Sequence, residues 1–347
     1  MKNLAALVAP SLSSLSFFSD SLVLGAVFKL VRQDSTGFVT TSGQKFSLDG
    51  EGFIAAGTNA YWLALSDIEN AGLTVVRTWV FNDRTSPQIM ECDYGISRFD
   101  TIVASAEAHG LKLMVALTNN WSGYGGMDVY LSQLNPGGTH DTFYTDETII
   151  AAYKNYIDNL VGLYADNSMI MACDLANETR CSGSTCSASS ACDTTGNHLV
   201  ALGDEGWFEV ANPPTYHSIP GVGVSFTDNP SIETLDFGTF HSCPESWGQS
   251  ADETAWGVQW IADHAAAQAT ANKPVILEEF GVTTNQVDTY TQWWDEVISS
   301  GLTGDLIWQA GSQLSTGPSP DDGFAVYPTG TVYPVMESAA ATLKARG

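Results

Sequence analysis

Short apolar runs rich in β-branched and aromatic residues recur along most of the chain, separated by stretches whose apolar positions fall three and four residues apart. The first pattern suits a strand buried on both faces, the second a helix that packs one stripe against a sheet. Eight runs qualify as strands: residues 53–61, 73–80, 111–118, 169–175, 199–203, 237–240, 274–279 and 305–309. Their alternation with helical patterns predicts repeated βα units, and eight such units close into a (β/α)8 TIM barrel of the α/β class. In one predicted helix Phe99, Ile102, Val103 and Ala106 form the stripe and Gly110 stops it. In another Ile149, Ile150, Tyr153, Ile157, Leu160 and Val161 form the stripe, with Thr145 as the expected N-cap. Residues 256–267 and 293–298 continue the alternation. Only about eleven residues separate the first two strands, too few for a usual helix with two loops, so the first βα unit is abbreviated. No low-complexity linker interrupts the pattern, which predicts one (β/α)8 domain over 37–345.

Residues 1–30 precede it and resemble a signal or propeptide segment, with Lys2, two short apolar stretches and a serine-rich run between them, so a secreted protein is expected. No later run is long and apolar enough to span a bilayer. Cys181, Cys186 and Cys192 crowd a segment rich in Ser, Thr, Gly and Asp, where a disulfide fits an oxidising compartment. A zinc site fits poorly, since there is no paired C-x-x-C and no histidine before His198. Cys173 and Cys243, in strand contexts, read as buried free thiols.

The 39 acidic residues against 13 Lys plus Arg give a net charge of −26, which repels phosphate backbones and anionic lipid surfaces. Nucleic acid and membrane are therefore excluded as partners, whereas a neutral polysaccharide is not penalised. Ten Trp, twelve Tyr and fifteen Phe leave rings for a groove as well as for a core. Gly221-Val222-Gly223 lacks the third glycine of a dinucleotide loop, and neither a phosphate-binding Gly-Lys-Ser/Thr nor a His-Glu-x-x-His is present, so no cofactor and no metal are expected. The protein is expected to be a monomer.

In such a barrel chemistry sits where strands end and βα loops begin. The fourth strand ends Leu175-Ala176-Asn177-Glu178-Thr179-Arg180 and the seventh ends Leu277-Glu278-Glu279-Phe280-Gly281, each with a carboxylate where an apolar run emerges. Paired carboxylates suit glycoside hydrolysis, one protonating the departing oxygen while the other attacks or activates water. A gap of about 5 to 5.5 Å gives retention and a wider one inversion.

At these residues the chain resembles glycoside hydrolase family 5, and within it the fungal endo-β-1,4-mannanases. The likeness runs through Gly57-Thr58-Asn59-Ala60-Tyr61-Trp62-Leu63, Arg77-Thr78-Trp79, Asn119-Asn120-Trp121-Ser122, Tyr124-Gly125-Gly126, Gly203-Asp204-Glu205-Gly206, Asp236-Phe237-Gly238-Thr239-Phe240-His241, Glu278-Glu279-Phe280-Gly281-Val282 and Gly304-Asp305-Leu306-Ile307-Trp308-Gln309. The resemblance implies that Glu178 is the acid/base and Glu279 the nucleophile, with Glu278 as the fallback. It implies that Asn177 contacts the sugar 2-hydroxyl, that Arg77 holds the nucleophile ionised while the acid/base stays protonated in a less charged setting, and that His241 hydrogen-bonds in the same cluster. Trp308 would form the floor under the sugar, and Trp62, Trp121, Arg180 and Glu205 would line the neighbouring substrate positions. The sequons at Asn120 and Asn177 fall on this cleft and read as chance.

The pattern is broken in places. Cys243 stands where the family has a tyrosine that hydrogen-bonds the nucleophile, Cys173 and Asp174 replace its Trp and Glu, Thr179 its Pro and Ala310 an aromatic. A segment around 85–96 is also short. The expected activity is retaining cleavage of internal β-1,4-mannosidic bonds in mannan, galactomannan or glucomannan. The alternatives are an impaired β-glycan-binding barrel, or an exo-acting β-mannosidase or other β-1,4-glycanase of the same family.

Overall fold

The computed structural model describes residues 36–60, 65–82, 93–181, 197–208 and 223–347. Three short strands come first, β1 (Val39–Ser42), β2 (Lys45–Leu48) and β3 (Glu51–Phe53), paired antiparallel in that order. The eight apolar runs follow as β4 (Ala55–Asn59), β5 (Val75–Trp79), β6 (Lys112–Ala116), β7 (Ile170–Asp174), β8 (Leu199–Ala201), β9 (Gly238–Ser242), β10 (Val275–Phe280) and β11 (Gly304–Ile307). All their pairings are parallel, in the order β8-β7-β6-β5-β4-β11-β10-β9, so the predicted barrel is the observed one. The helices are α1 (Leu65–Asn70), α2 (Asp93–Ala108), α3 (Met127–Leu134), α4 (Glu147–Leu163), α5 (Glu253–Ala271), α6 (Gln286–Ser300) and α7 (Tyr333–Lys344).

The seam between β8 and β9 closes partly through side chains. Asp236 N donates to Val200 O at 2.9 Å while Val200 N donates to Asp236 Oδ2 at 2.8 Å, and Gly203 N donates to Thr239 Oγ1 at 3.1 Å. A three-residue β8 offers too little backbone for a full ladder, and side-chain acceptors take the remaining donors.

One apolar cluster fills the barrel, with Ala55, Val75, Met114, Ala172, Leu199, Phe237, Ile276 and Leu306. Val39 and Phe46 join it from the hairpin strands, Phe46 meeting Phe237 edge to face at 5.3 Å. Gly57 is required inside: a Cβ there would lie 2.3 Å from Val75 O and 2.5 Å from a Leu306 methyl. A second, larger cluster joins the outer strand faces to the helices.

Local signals hold with small corrections. The six residues of α1 are the abbreviated first unit. After α2, Leu111 N donates to Ala106 O and Gly110 N to Glu107 O, the paired bonds of a glycine stop, with Gly110 at φ 62°. The N-cap of α4 is Asp146 rather than Thr145. Its carboxylate accepts from Thr148 N at 2.8 Å and Ile149 N at 3.1 Å, and so satisfies two of the donors left open at the helix start. No helix among the described residues is long and apolar enough to cross a membrane. The expected signal segment 1–30 lies outside the described residues.

Asp305 on β11 is buried, accepts from Trp294 Nε1 at 2.9 Å, and is pushed up from 3.8 to about 7, burial outweighing that bond and the charge of Arg346. The folded chain therefore binds a proton there that the unfolded chain releases near pH 4, so this group costs stability as pH rises from about 4 through 7. Asp305→Asn should raise the melting temperature at pH 8 and change it little at pH 4, read by calorimetry against wild type; an equal effect at both pH values would contradict this.

Candidate active site

The sequence places Arg77 on β5, Asp174 on β7, His241 on β9 and Glu278 and Glu279 on β10, all at the C-terminal mouth of the barrel. Beyond β7 the ladder continues irregularly: Asn177 N donates to Thr118 O at 2.9 Å and Glu178 N to Gly203 O at 2.7 Å. Glu178 has φ 55°, a conformation L residues rarely adopt, held there by that bond. On β10 the pairing with β9 slips between Leu277 and Glu279, so Glu278 is an extra residue in the ladder. This bulge lets two consecutive glutamates reach the same cations, where a regular strand would turn them to opposite faces.

Arg77 is fully buried and is the hub of the site. Its Nε donates to Asp174 Oδ2 at 2.7 Å and lies 3.5 Å from Glu278 Oε1. Its Nη1 donates to Asn59 Oδ1 at 3.1 Å and to Glu279 Oε1, and its Nη2 to Asn177 Oδ1 at 3.0 Å. His241 lies between the carboxylates: Nδ1 is 3.0 Å from Glu178 Oε1 and 3.8 Å from Glu279 Oε2, and Nε2 is 3.1 Å from Glu278 Oε2. Trp121 Nε1 donates to the other Glu178 oxygen. One atom each of Glu178, His241 and Glu279 lie within 4.8 Å of one another, so the two carboxylates face each other at close range.

Charge follows from this wiring. Burial alone would weaken the Arg77 cation, but Glu278, Asp174 and Glu279 outweigh it and hold the guanidinium charged. His241 is likewise raised well above the usual imidazole range against burial, chiefly by Glu279 and by its bonds to Glu178 and Glu278. For Glu178 the pull of His241, Trp121 and Arg180 exceeds burial and the carboxyl is lowered. Glu279 is raised, burial outweighing His241 and Arg77 with Glu178 and Glu278 adding repulsion. In the free site these directions run opposite to the expected division, in which Arg77 holds Glu279 ionised and Glu178 keeps its proton in a less charged setting. The reason is that His241 puts a second cation beside Glu178.

Around this centre lies a rim of rings. Trp121 is 45% exposed, and the Arg180 guanidinium sits over its ring at 4.9 Å. Arg180 grips Glu205 with two bonds of 2.5 and 2.6 Å. Across the mouth Trp308, whose Nε1 donates to Asp322 Oδ2 at 2.8 Å, lies 6.2 Å from Trp79, and Trp79 meets Tyr124 edge to face at 5.8 Å. Of the expected site residues, Arg77, Asn177, Glu178, His241 and Glu279 therefore converge, and Trp121, Arg180, Glu205 and Trp308 form the rim. Trp62 lies outside the described residues.

Asn59, Asp174, Trp79 and Tyr124 were not singled out from the sequence as site residues. Asn59 donates to Glu278 O at 2.9 Å and Leu306 O at 3.1 Å besides accepting from Arg77. Its place at the C-terminal end of β4 was the available signal. The amides of Asn120 and Asn177 belong to residues 5% and 3% exposed, which agrees with reading both sequons as chance. Cys173 is a buried free thiol, while Cys243, just past β9, is free but only partly buried. Burial and then Glu178, Glu279, Glu205 and Glu245 push its thiol well up. Cys181 is in a disulfide, as the loop composition suggested; Cys186 and Cys192 lie outside the described residues.

A parallel eight-stranded barrel with two opposed carboxylates in a ring-lined mouth has the architecture of a barrel glycosidase. Residues 40–313 match the cellulase family, glycosyl hydrolase family 5, and the chain belongs to that family. The mannan endo-1,4-beta-mannosidase A of Aspergillus aculeatus is 38% identical over 339 residues, covering 84% of this chain and 87% of the relative. The mannan endo-1,4-beta-mannosidase F of Aspergillus fumigatus is 36% identical over 340 residues, covering 86% of this chain and 76% of the relative. The solved endo-1,4-beta-mannanase of Rhizomucor miehei has a TM-score of 0.77 at 37% identity, covering 89% of this chain and 99% of that one.

Removing the hub should expose its role. Arg77→Met leaves Asp174, Glu278 and Glu279 buried without their guanidinium, and should cost about 3–5 kcal/mol in urea unfolding at neutral pH. The loss should shrink as pH falls and the carboxyls take up protons. A loss that stays constant with pH would mean the damage is steric.

Proposed function

We propose that the chain hydrolyses internal β-1,4-mannosidic bonds of mannans with retention of configuration, Glu178 acting as acid/base and Glu279 as nucleophile. The observation that carries this is the approach of the two carboxylates to within 4.8 Å, close to the separation of retaining enzymes and well short of the roughly 6.5–9.5 Å that inverting enzymes leave for an attacking water. The names of the relatives support β-1,4-mannan as the substrate.

In the first half of the reaction a Glu279 oxygen bonds to the anomeric carbon as the bond to the leaving oxygen breaks, and Glu178 delivers the proton that oxygen needs. In the second half Glu178 takes a proton from water, whose oxygen displaces Glu279. His241, bonded to Glu178 through Nδ1, shares this proton in the free site. A sugar that displaces water from the mouth penalises the separated charges of the pair and drives the proton onto Glu178. Arg77 stabilises the returning Glu279 carboxylate, and its bond to Asn177 Oδ1 leaves the Asn177 amide aligned for the sugar 2-hydroxyl. Trp308 and Trp79 offer ring faces on one side, Trp121 with Arg180 and Glu205 on the other. The Cys181 disulfide supports action outside the cell.

Incubation with a mannan, a cellulose derivative and mannohexaose tests the substrate. Short mannooligosaccharides released early from mannan support the reading, whereas release of mannose alone favours exo action and cleavage of the cellulose derivative alone overturns it. Glu178→Ala and Glu279→Ala should each abolish nearly all hydrolysis while mannohexaose still binds, read by calorimetric titration. Full activity in either variant would remove that residue from its role.

Cys243, two residues past His241, lies within electrostatic reach of both carboxylates and offers only a weak donor. A phenol bonded to a charged nucleophile is worth about 1.5 to 3 kcal/mol, or one to two decades in rate. Cys243→Tyr should raise kcat by about that factor; an unchanged kcat in a folded variant would show that the missing bond does not limit turnover.

A further inference from the structure

Beneath the reacting pair lies a second pair of acids, Asp174 and Glu278, both fully buried. They lie within hydrogen-bond reach of each other, yet Asp174 Oδ1 and Glu278 Oε1 each have no donor. Their other oxygens are bonded: Asp174 Oδ2 accepts from Arg77 Nε at 2.7 Å, and Glu278 Oε2 from His241 Nε2 at 3.1 Å. Arg77 also serves Glu279, and His241 also serves Glu178, so these two cations already face four carboxylates. Two carboxylate oxygens within hydrogen-bond reach in a dry interior repel, and neither accepts the bond that a buried acceptor requires, since Arg77 Nε approaches Glu278 Oε1 only to 3.5 Å while donating to Asp174. A single proton removes both faults, since it makes one oxygen a donor and the other its acceptor, and lowers the negative charge by one.

We propose that Asp174 retains a proton at Oδ1 and donates it to Glu278 Oε1, and that Asp174 is thereby a positioning residue for the hydrolysis carried out at Glu178 and Glu279. Glu278, rather than Asp174, is the ionised member, because it alone of the two accepts from His241, while Asp174 gains only the Arg77 bond. Burial and the charge of Glu278 both favour a protonated Asp174. The consequence reaches the chemistry along two routes. With Asp174 neutral, the Arg77 charge is left for Glu279. With Glu278 fixed as a singly charged acceptor, His241 keeps its Nε2 proton on Glu278 and its Nδ1 directed at Glu178. Asp174 touches no substrate and acts through Arg77, Glu278 and His241. The positioning role rests on the proposed function; the location of the proton does not.

Two measurements separate these parts. The infrared difference spectrum between wild type and Asp174→Asn should show the carbonyl stretch of a protonated carboxylic acid in wild type, unchanged between pH 5 and pH 7, where an ordinary aspartate of pKa about 3.9 is ionised. Absence of that band overturns the proposal whatever substrate the enzyme takes. On the substrate the enzyme cleaves, Asp174→Ala should lower kcat about tenfold or more with little change in KM, and should shift the pH profile of kcat. Asp174→Asn should recover most of that loss, since its amide can donate to Glu278 and accept from Arg77. If the band is present but Asn is as damaging as Ala, the proton is there and the positioning role is wrong. If the Ala variant does not fold, Asp174→Asn decides alone: a tenfold loss would contradict the role and a smaller one supports it.

Discussion

A guanidinium buried at the barrel mouth is stable only while carboxylates surround it, and carboxylates so deeply buried are stable only around a cation. Arg77 and its partners on β4, β7 and β10 meet this mutual requirement. The barrel supplies the geometry, because parallel strands bring residues far apart in sequence to one end of the sheet. The closed apolar interior below, filled from Ala55 to Leu306 and stoppered by Phe46, keeps water from approaching the cluster from beneath. Without that dry floor each ion pair would be weaker and the carboxyls would titrate as ordinary acids.

Two local departures from regular structure turn this cluster into a reactive site. The slip in β10 brings Glu278 and Glu279 to the same side, so one glutamate serves the network and the other faces the cleft. The left-handed backbone at Glu178 aims its carboxylate back across the mouth at close range. His241, bonded through one ring nitrogen to Glu178 and through the other to Glu278, couples two glutamates that would otherwise repel. The site is thus a network in which each residue fixes the protonation of the next. It is not a pair of independent acids.

Much of this was legible from the chain. The eight strands stood out because strands buried on both faces read as unbroken apolar runs, and Glu178 and Glu279 because a carboxylate ending such a run has no reason to be there as core. What stayed hidden depended on geometry that periodicity does not encode. A bulge leaves no mark in Leu277-Glu278-Glu279-Phe280, so Glu278 read as a substitute for its neighbour and not as its partner. Asp174 sits in an apolar stretch and shows its connection only once Arg77, 97 residues away, is folded beside it. The charge pattern stayed hidden for a related reason: the fold brings His241 against Glu178 and Glu278, which neither segment suggests alone. Thr145 and Asp146 show the same limit on a small scale, where two adjacent capping residues compete and the helix start decides between them.

Double displacement by Glu178 and Glu279 fixes the stereochemistry of the first product, which tests it most directly. Proton NMR of mannohexaose hydrolysis, followed before mutarotation, should show the β-anomer at the new reducing end appearing first and the α-anomer growing in slowly. An α-anomer formed first would mean inversion, and would contradict a covalent intermediate on Glu279.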